Sequence, residues 1–208
     1  MYPYYWPFYK AGGPVQSIYN IVQIFKGEAN FYLISKNRDI DGTASPFSIT
    51  ENNWCKGPND ENIYYTSSLT PLLVFKIIQE LRPHVILLNG IFNWQTTFFG
   101  VIFARLYGCK FIVSPRGMLQ TWALDRGKVK KLIFIFVFKM LLRKKNNWHA
   151  TDMQEQIDIK KIFGSRQNVS IAPNVPRALS KSETITFPTA DKKIRLVFLS
   201  LINPNKNL

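Results

Sequence analysis

The stretch "HVILLNGIFNWQTTFFGVIFARLYGCKFIVSPRG" (residues 84–117) decides the fold class of this chain. It holds two short apolar runs, each of which ends in polar or glycine residues, and a helical pattern lies between them. An uninterrupted apolar run is typical of a strand that is buried on both faces of a parallel sheet. Two such strands joined by a helix indicate a βαβ unit.

The same alternation continues outward in both directions. It predicts strands at 31–35, 62–66, 147–151 and 168–174 and helices at 14–25, 70–81, 128–145 and 152–163. Strands that alternate with helices in this way favour an α/β fold, with a Rossmann-like parallel sheet and helices on both faces.

The composition of the chain indicates that it is globular, and its net charge indicates what kind of partner it binds. With 46% hydrophobic and 19% charged residues, the 208-residue chain is globular rather than disordered. Its net charge of +14 indicates an anionic partner, which could be nucleic acid, anionic lipid or a phosphorylated small molecule. Much of the charge is local, because residues 128–145 carry seven basic and no acidic residues.

Cysteine usage and hydropathy indicate the compartment. Cys55 and Cys109 match no metal-binding spacing, and so few cysteines are typical of a reducing cytoplasm. The start shows no signal-peptide pattern, and the longest apolar run, residues 132–138, is too short for a bilayer. We expect a cytoplasmic protein without a bound metal.

Ligands of such sheets bind beyond the carboxyl ends of the strands, so polar residues there are the first site candidates. Arg116 follows a strand and precedes a glycine, where it could pair with a carboxylate or phosphate or remain a solvated loop arginine. Gly12 and Gly13 precede a helix and could offer bare N–H groups to an anion, or simply form a tight turn. The dinucleotide and Walker glycine patterns are absent.

Two further residues have alternative readings. His149 could be a general base, a hydrogen-bonding site residue or a satisfied core histidine. Glu155 lies in the first turn of a predicted helix, where a carboxylate complements the helix dipole. The sequence contains no Ser-His-Asp elbow, HExxH motif or DxD pair.

The basic helix at 128–145 also has two readings. It could cover the sheet while its basic rim contacts anionic lipid, or it could be an ordinary covering helix with a solvated end. We assign its apolar residues to packing and its lysines to membrane contact. Nucleic-acid binding is disfavoured, because the aromatic residues are not interleaved with basic ones in a recognisable module.

An ordered set of motifs resembles the N-terminal half of family-4 glycosyltransferases: "PFYKAGGPVQSIYNIV", "NRDIDG", "ENNW", "NGIFNWQTT", "SPRGML", "HATDMQE" and "IAPNVP". The resemblance is to bacterial enzymes of surface-polysaccharide synthesis, which are retaining and have the two-domain GT-B fold. It implies hexosyl transfer from a nucleotide sugar, UDP- or GDP-linked, to a saccharide or lipid-linked acceptor. It implies no other cofactor and, because attack is thought to be front-face, no protein nucleophile.

The resemblance also divides the chain. Residues 1–176 match the acceptor-side Rossmann-like domain, 177–193 a linker, and 194–208 the opening of a donor-binding domain. "FLSLINPNKNL" resembles the family's "F-V-S-R-I-x-P-x-K-N-L", with Leu201 where the family has arginine. The family's opening strand and its glutamate pair have no counterpart, so we expect a fragment cut at both ends.

Residue by residue, the resemblance implies contacts with donor or acceptor in the cleft rather than defined chemical roles. The residues that match are Gly12, Gly13, Arg116, His149, Thr151, Glu155, Asn174 and, for the donor diphosphate, Lys206. We expect weak or no turnover near the inner membrane surface. The alternative is a non-catalytic remnant that binds glycan or anionic membrane.

Overall fold

Strands and helices alternate along the chain in the computed structural model, which describes residues 1–45, 47–142 and 145–176, all within the unit Met1–Pro176. The predicted linker (177–193), the predicted second-domain segment (194–208) and Lys206 lie outside the described residues. The helices are α1 (Gly13–Ile24), α2 (Pro71–Leu81), α3 (Phe99–Leu106), α4 (Thr121–Asp125), α5 (Lys128–Leu141) and α6 (Met153–Phe163). The strands are β1 (Tyr32–Lys36), β2 (Trp54–Lys56), β3 (Asn62–Thr66), β4 (Val85–Asn89), β5 (Lys110–Ser114), β6 (Asn147–Ala150) and β7 (Asn168–Ile171).

The larger sheet confirms the predicted α/β class with a Rossmann-like parallel arrangement. Its order is β4-β5-β6-β7, and all three pairings are parallel. Leu88, Val113 and Trp148 lie in its core with Val101 of α3 and Phe138 of α5. Because the strands are parallel and in register, their carboxyl ends meet along one edge of the sheet.

The first half of the chain forms a separate three-stranded sheet in the order β1-β3-β2. β1 and β3 are parallel, whereas β2 is antiparallel to β3. The sequence predicts only a polar loop where β2 lies, since three residues are too few to show a strand pattern. The described residues therefore form two separate sheets rather than one continuous sheet.

The opening residues lie between the two sheets. The Met1 amino group donates to the Leu87 carbonyl, and the Asn89 N–H donates to the Met1 carbonyl at 3.0 Å. The Lys36 N–H donates to the Pro3 carbonyl at 2.8 Å. Residues 1–3 thus contact β4 on one side and β1 on the other.

The predicted basic helix is shorter than expected, and its apolar residues divide between two faces. α5 ends at Leu141, and Phe134, Ile135 and Phe138 are buried against the sheet. The expectation that its apolar residues pack inside is wrong for five of them. These are between 49% and 75% exposed: Val129, Leu132, Ile133, Phe136 and Met140.

The helix predicted for residues 94–107 is composite. A π-helical turn, Trp94–Phe98, begins at Asn93, whose side chain accepts from the Thr96 N–H at 2.8 Å, and α3 follows directly. α4 is a five-residue helix that the sequence pattern does not indicate. In the part of the chain that the structure describes, no helix is long and apolar enough to cross a bilayer.

Candidate functional site

Arg116 lies at the carboxyl edge of the larger sheet, in the turn after β5. Its backbone is left-handed, with φ at 57°, which a non-glycine residue rarely adopts. Its Nε donates to Oδ1 of Asn89 at 2.6 Å, and its Nη1 donates to Oδ1 of Asn174. The strained turn and these two amides fix the guanidinium over the ends of β4 and β7.

One nitrogen of this guanidinium has no hydrogen-bond partner in the part of the chain that the structure describes. Nη2 of Arg116 and Nδ2 of Asn89 are both buried, and neither has a hydrogen-bond partner among the described residues. Burial lowers the pKa of Arg116, and the carboxylate of Glu155 acts in the opposite direction. An arginine remains protonated in proteins, so the site holds a partly buried cation with one buried, unpartnered donor. That combination favours an anionic ligand.

The amino end of α1 provides a second set of donors. Gly12 has φ at 81° and directs the chain into the helix, and no described side chain caps the first turn. A Cβ placed on Gly12 or Gly13 would meet nothing within 4 Å, so the bend faces open space. An uncapped helix start presents N–H groups and a partial positive charge.

A buried carboxylate holds the segment that leads into this bend. Asp39 is 7% exposed, and its Oδ2 accepts from the N–H groups of Tyr9 and Lys10, both at 3.1 Å. Its Oδ1 accepts from the N–H of Ile40 at 2.7 Å. Lys10 also forms a 2.5 Å ion pair with Asp41. The position of the glycine bend is therefore set by the loop that follows β1.

Asn174 joins the two sets of donors. Its Oδ1 accepts from Ser17 Oγ of α1 at 3.0 Å and also from Arg116. One residue on, the Val175 carbonyl accepts from Nδ2 of Asn20 at 2.7 Å. The first turns of α1 and the Arg116 turn therefore share one partner and lie on the same side of the unit.

Glu155 fixes two loops at this edge rather than facing open space. It is 1% exposed, and its Oε1 accepts from the Gly117 N–H at 2.6 Å. Its Oε2 accepts from the N–H of Thr151 at 2.6 Å and from the Thr151 hydroxyl at 2.9 Å. The Asp152 side chain caps α6 by accepting from the Glu155 N–H at 2.8 Å. Glu155 thus anchors the turn after β5 to the turn after β6.

His149 joins β6 to the last residue of β5 and to the residue that follows β7. Nε2 lies 2.9 Å from the Ala172 carbonyl, and Nδ1 lies 2.9 Å from Ser114 Oγ. A carbonyl only accepts, so Nε2 carries the proton and Nδ1 accepts from the Ser114 hydroxyl. Burial, more than any other influence, lowers the pKa of His149, and the Arg116 charge adds to this effect. Both nitrogens are engaged, so this histidine positions the strand ends and is not free to act as a base.

The structure therefore gathers most of the residues that the sequence indicates. Arg116 and Asn174 bond to each other, and Asn174 also bonds to Ser17 of the helix that begins at the glycine bend. His149, Thr151 and Glu155 make supporting hydrogen bonds at the same strand ends. The polar tip at Asn89, which ends a buried strand, is among the positions that the sequence indicates, whereas Ser17 and Asp39 are not. Nothing in the local pattern marks the other two.

Together these groups form a cationic patch built from the ends of parallel strands and the start of a helix. A phosphate, diphosphate or carboxylate would accept hydrogen bonds from Nη2 of Arg116 and Nδ2 of Asn89 once the groups that cover these two buried nitrogens move aside. Within the described ranges, no cluster of three His, Cys, Asp or Glu side chains could hold a metal ion. Comparisons with protein-family models, curated proteins and solved structures found no match to this chain.

Proposed function

We propose that this chain belongs to a retaining glycosyltransferase and forms the domain that binds the acceptor. The enzyme transfers a hexosyl group from a UDP- or GDP-sugar to a saccharide or lipid-linked acceptor in polysaccharide synthesis. The observation that carries the proposal is the buried, unpartnered Nη2 of Arg116, which lies beside the carboxyl ends of β4 and β5 and is linked through Asn174 to α1. The motif resemblance supports the same reading.

During sugar transfer, negative charge develops on the departing diphosphate, and a cation beside it would stabilise the transition state. In hexosyl transfer the bond between the anomeric carbon and the diphosphate oxygen breaks, and an acceptor hydroxyl oxygen bonds to that carbon. The hydroxyl proton passes to the departing diphosphate, so the atoms balance without a protein nucleophile. Arg116 and the amino end of α1 would stabilise negative charge on a phosphate bound at this edge.

A peripheral location on an anionic membrane is the second part of the proposal, and α5 supports it. At about 100° per residue, its five exposed apolar residues fall within roughly 100° of arc. Lys128 and Lys139 flank this stripe on one side and Lys130 on the other, each roughly 70–110° from its centre. An apolar stripe between basic rows is typical of a helix that lies in the membrane interface.

The test of the transferase proposal is a transfer assay on the full chain. UDP- and GDP-hexoses labelled in the sugar are incubated with the protein and a bacterial membrane lipid extract, and label is measured in the lipid and saccharide fractions. We expect slow transfer that Arg116→Ala abolishes and that Arg166→Ala, at an exposed turn, leaves unchanged. Binding of nucleotide sugar without transfer would support the non-catalytic alternative, and neither binding nor transfer would refute the proposal.

A further inference from the structure

The two unpartnered nitrogens at the Arg116 turn are closed off from solvent. Nη2 of Arg116 and Nδ2 of Asn89 are both buried and have no hydrogen-bond partner among the described residues. An unpartnered buried donor costs free energy, and the cost is larger when the donor carries charge. Some group in the protein must cover these two donors, and it covers them without bonding to them.

Gly90, the residue that follows β4, forms a fixed floor beside these donors. Its N–H donates to the Ser114 carbonyl at 2.8 Å, and its carbonyl accepts from Thr97 Oγ1 at 2.7 Å. A Cβ placed on Gly90 would lie 3.2 Å from Cε of Met118 and 3.7 Å from Cε2 of Tyr2. Because Gly90 has no side chain, Tyr2 and Met118 can close over the end of β4.

Tyr2 projects from a fixed segment of backbone. The Met1 carbonyl accepts from the Asn89 N–H at 3.0 Å, and the Pro3 carbonyl accepts from the Lys36 N–H at 2.8 Å. The chain is therefore bonded on both sides of Tyr2, and the ring can move only by rotation about its side-chain bonds. The residue is half-buried, so part of the ring faces solvent, into which it can turn.

Met118 belongs to the same turn as Arg116. Its N–H donates to the Pro115 carbonyl at 3.3 Å, which fixes its backbone two residues beyond Arg116. The residue is also half-buried, and a methionine side chain is unbranched and rotates about three bonds. Met118 can therefore leave its position over Gly90 without any displacement of the backbone.

Electrostatic influences place Tyr2 near the guanidinium of Arg116. Burial and, after it, Tyr4 raise the pKa of Tyr2, whereas the charge of Arg116 acts in the opposite direction. A phenol whose pKa lies above its ordinary value of about 10 is neutral at physiological pH. Tyr2 thus lies beside the cation without neutralising it, and an entering anion would gain the charge interaction and both unused donors.

We propose that the side chains of Tyr2 and Met118 form a gate that closes Nη2 of Arg116 and Nδ2 of Asn89 from solvent, and that a phosphate or diphosphate binds there only after both side chains turn outward. The closed gate leaves two donors unpartnered, so an anion that bonds to them stabilises the open form and shifts the population toward it. The gate rests on the proposed function only in taking Arg116 as the anion-binding group.

Phenylglyoxal, which modifies accessible arginine side chains, tests the gate without any substrate. Labelling of Arg116 and of Arg166, at an exposed turn, is followed by peptide mass spectrometry on the full chain. The double variant Tyr2→Ala and Met118→Ala removes the cover. Its matched control, Tyr2→Phe and Met118→Leu, keeps an apolar group of similar size at each position. Circular dichroism checks that each variant folds, and Met118→Ala alone replaces an alanine variant that does not.

We expect Arg116 in the wild type to be labelled more slowly than Arg166 by roughly tenfold or more, because labelling waits for the gate to open. The alanine variant should label Arg116 roughly fivefold faster than the wild type, and the control should match the wild type. Equal wild-type rates at the two arginines would overturn the proposal without any variant. An Arg116 rate that is the same in the wild type and the alanine variant would also overturn it.

Inorganic pyrophosphate separates the gate from the proposed function. In the alanine variant it should slow labelling of Arg116, because the anion would occupy the uncovered donors. Faster labelling in that variant without protection by pyrophosphate would support the gate and count against Arg116 as the anion site. Protection by pyrophosphate in both proteins, with equal labelling rates in its absence, would support the anion site and refute the gate.

Discussion

Nε of Arg116 donates a 2.6 Å hydrogen bond to Oδ1 of Asn89, which joins the turn after β5 to the last residue of β4. The two residues lie 27 positions apart, and Asn89 is 1% exposed. Because the amide oxygen holds one edge of the guanidinium, Nη2 is fixed in place rather than free to rotate toward water. A fixed, partly desolvated cation binds an anion more strongly than a mobile one.

The first prediction concerns this cation. Arg116→Ala should weaken binding of inorganic pyrophosphate and of UDP- or GDP-sugars roughly 10- to 100-fold, since charge-assisted hydrogen bonds contribute about 1.5–3 kcal/mol. Arg116→Lys should recover only part of the affinity, because lysine cannot make the same paired contacts. Titration calorimetry measures both, with Arg166→Ala as the control. Unchanged affinity in Arg116→Ala would place the anion site elsewhere.

Gly12 and Gly13 should respond differently to alanine. Gly12 has φ at 81°, so Gly12→Ala should lower the free energy of unfolding by about 1–2 kcal/mol. Gly13 is the first helical residue, lacks a positive φ and has open space around it, so Gly13→Ala should raise stability by up to about 1 kcal/mol. Urea denaturation distinguishes the two. If the bend binds the ligand, the methyl group at Gly13 should nevertheless weaken anion binding.

Glu155 should matter for stability even though it lies beside the cleft. Glu155→Ala leaves two partly buried N–H groups without their acceptor and removes one of the two acceptors of the Thr151 hydroxyl, so we expect a loss of about 2–4 kcal/mol in unfolding free energy. Glu155→Gln keeps one carbonyl oxygen and should lose less. Glu80→Ala, at an exposed site on α2, is the control. Wild-type stability in Glu155→Ala would contradict the anchoring role.

His149 should make stability depend on pH. Its pKa is lowered in the folded state, so the unfolded chain binds more protons below its ordinary pKa of about 6.5. Its contribution to stability is therefore present above that pH and declines as pH falls toward the folded-state pKa. Denaturation between pH 5.5 and 7.5 should show this slope. His149→Gln should flatten it, and an unchanged slope in that variant would contradict the role assigned to His149.

The exposed stripe of α5 should bind anionic vesicles. We expect the protein to float with phosphatidylglycerol vesicles at low salt and to be released at high salt. The double variant Leu132→Ser and Phe136→Ser should reduce flotation severalfold, because both side chains lie in the stripe. Leu72→Ser removes an exposed leucine from α2 and is the control. Flotation that is equal for wild type and double variant would remove α5 from the membrane proposal.

Several features of the site could be foreseen because they follow from chain direction. Asn89, Ser114 and Arg116 end apolar runs, and the ends of parallel strands meet at one edge whatever the details of packing. Glu155 could be placed at a helix start, and Asp152 does cap that helix. That Glu155 would bind two loops could not be foreseen, since Gly117 lies 38 residues away.

Other features depended on tertiary contacts. The helical pattern of α5 gives two apolar faces, and only packing decided that Phe134 and Phe138 are buried while Phe136 is exposed. Packing likewise decided that both ring nitrogens of His149 form hydrogen bonds, one with Ser114 at the end of β5 and one with Ala172 just after β7.

By itself, the amino-acid sequence determined the alternation of strands and helices, the parallel direction of β4 to β7 and the edge at which the polar groups collect. Apolar periodicity and chain direction are local properties, and they act before any long-range contact forms. The tertiary structure alone decided that Ser17, Asn174 and Arg116 meet, and that residues 1–3 lie between the two sheets. Those outcomes depend on which distant backbone and side-chain groups satisfy one another, which no local pattern records.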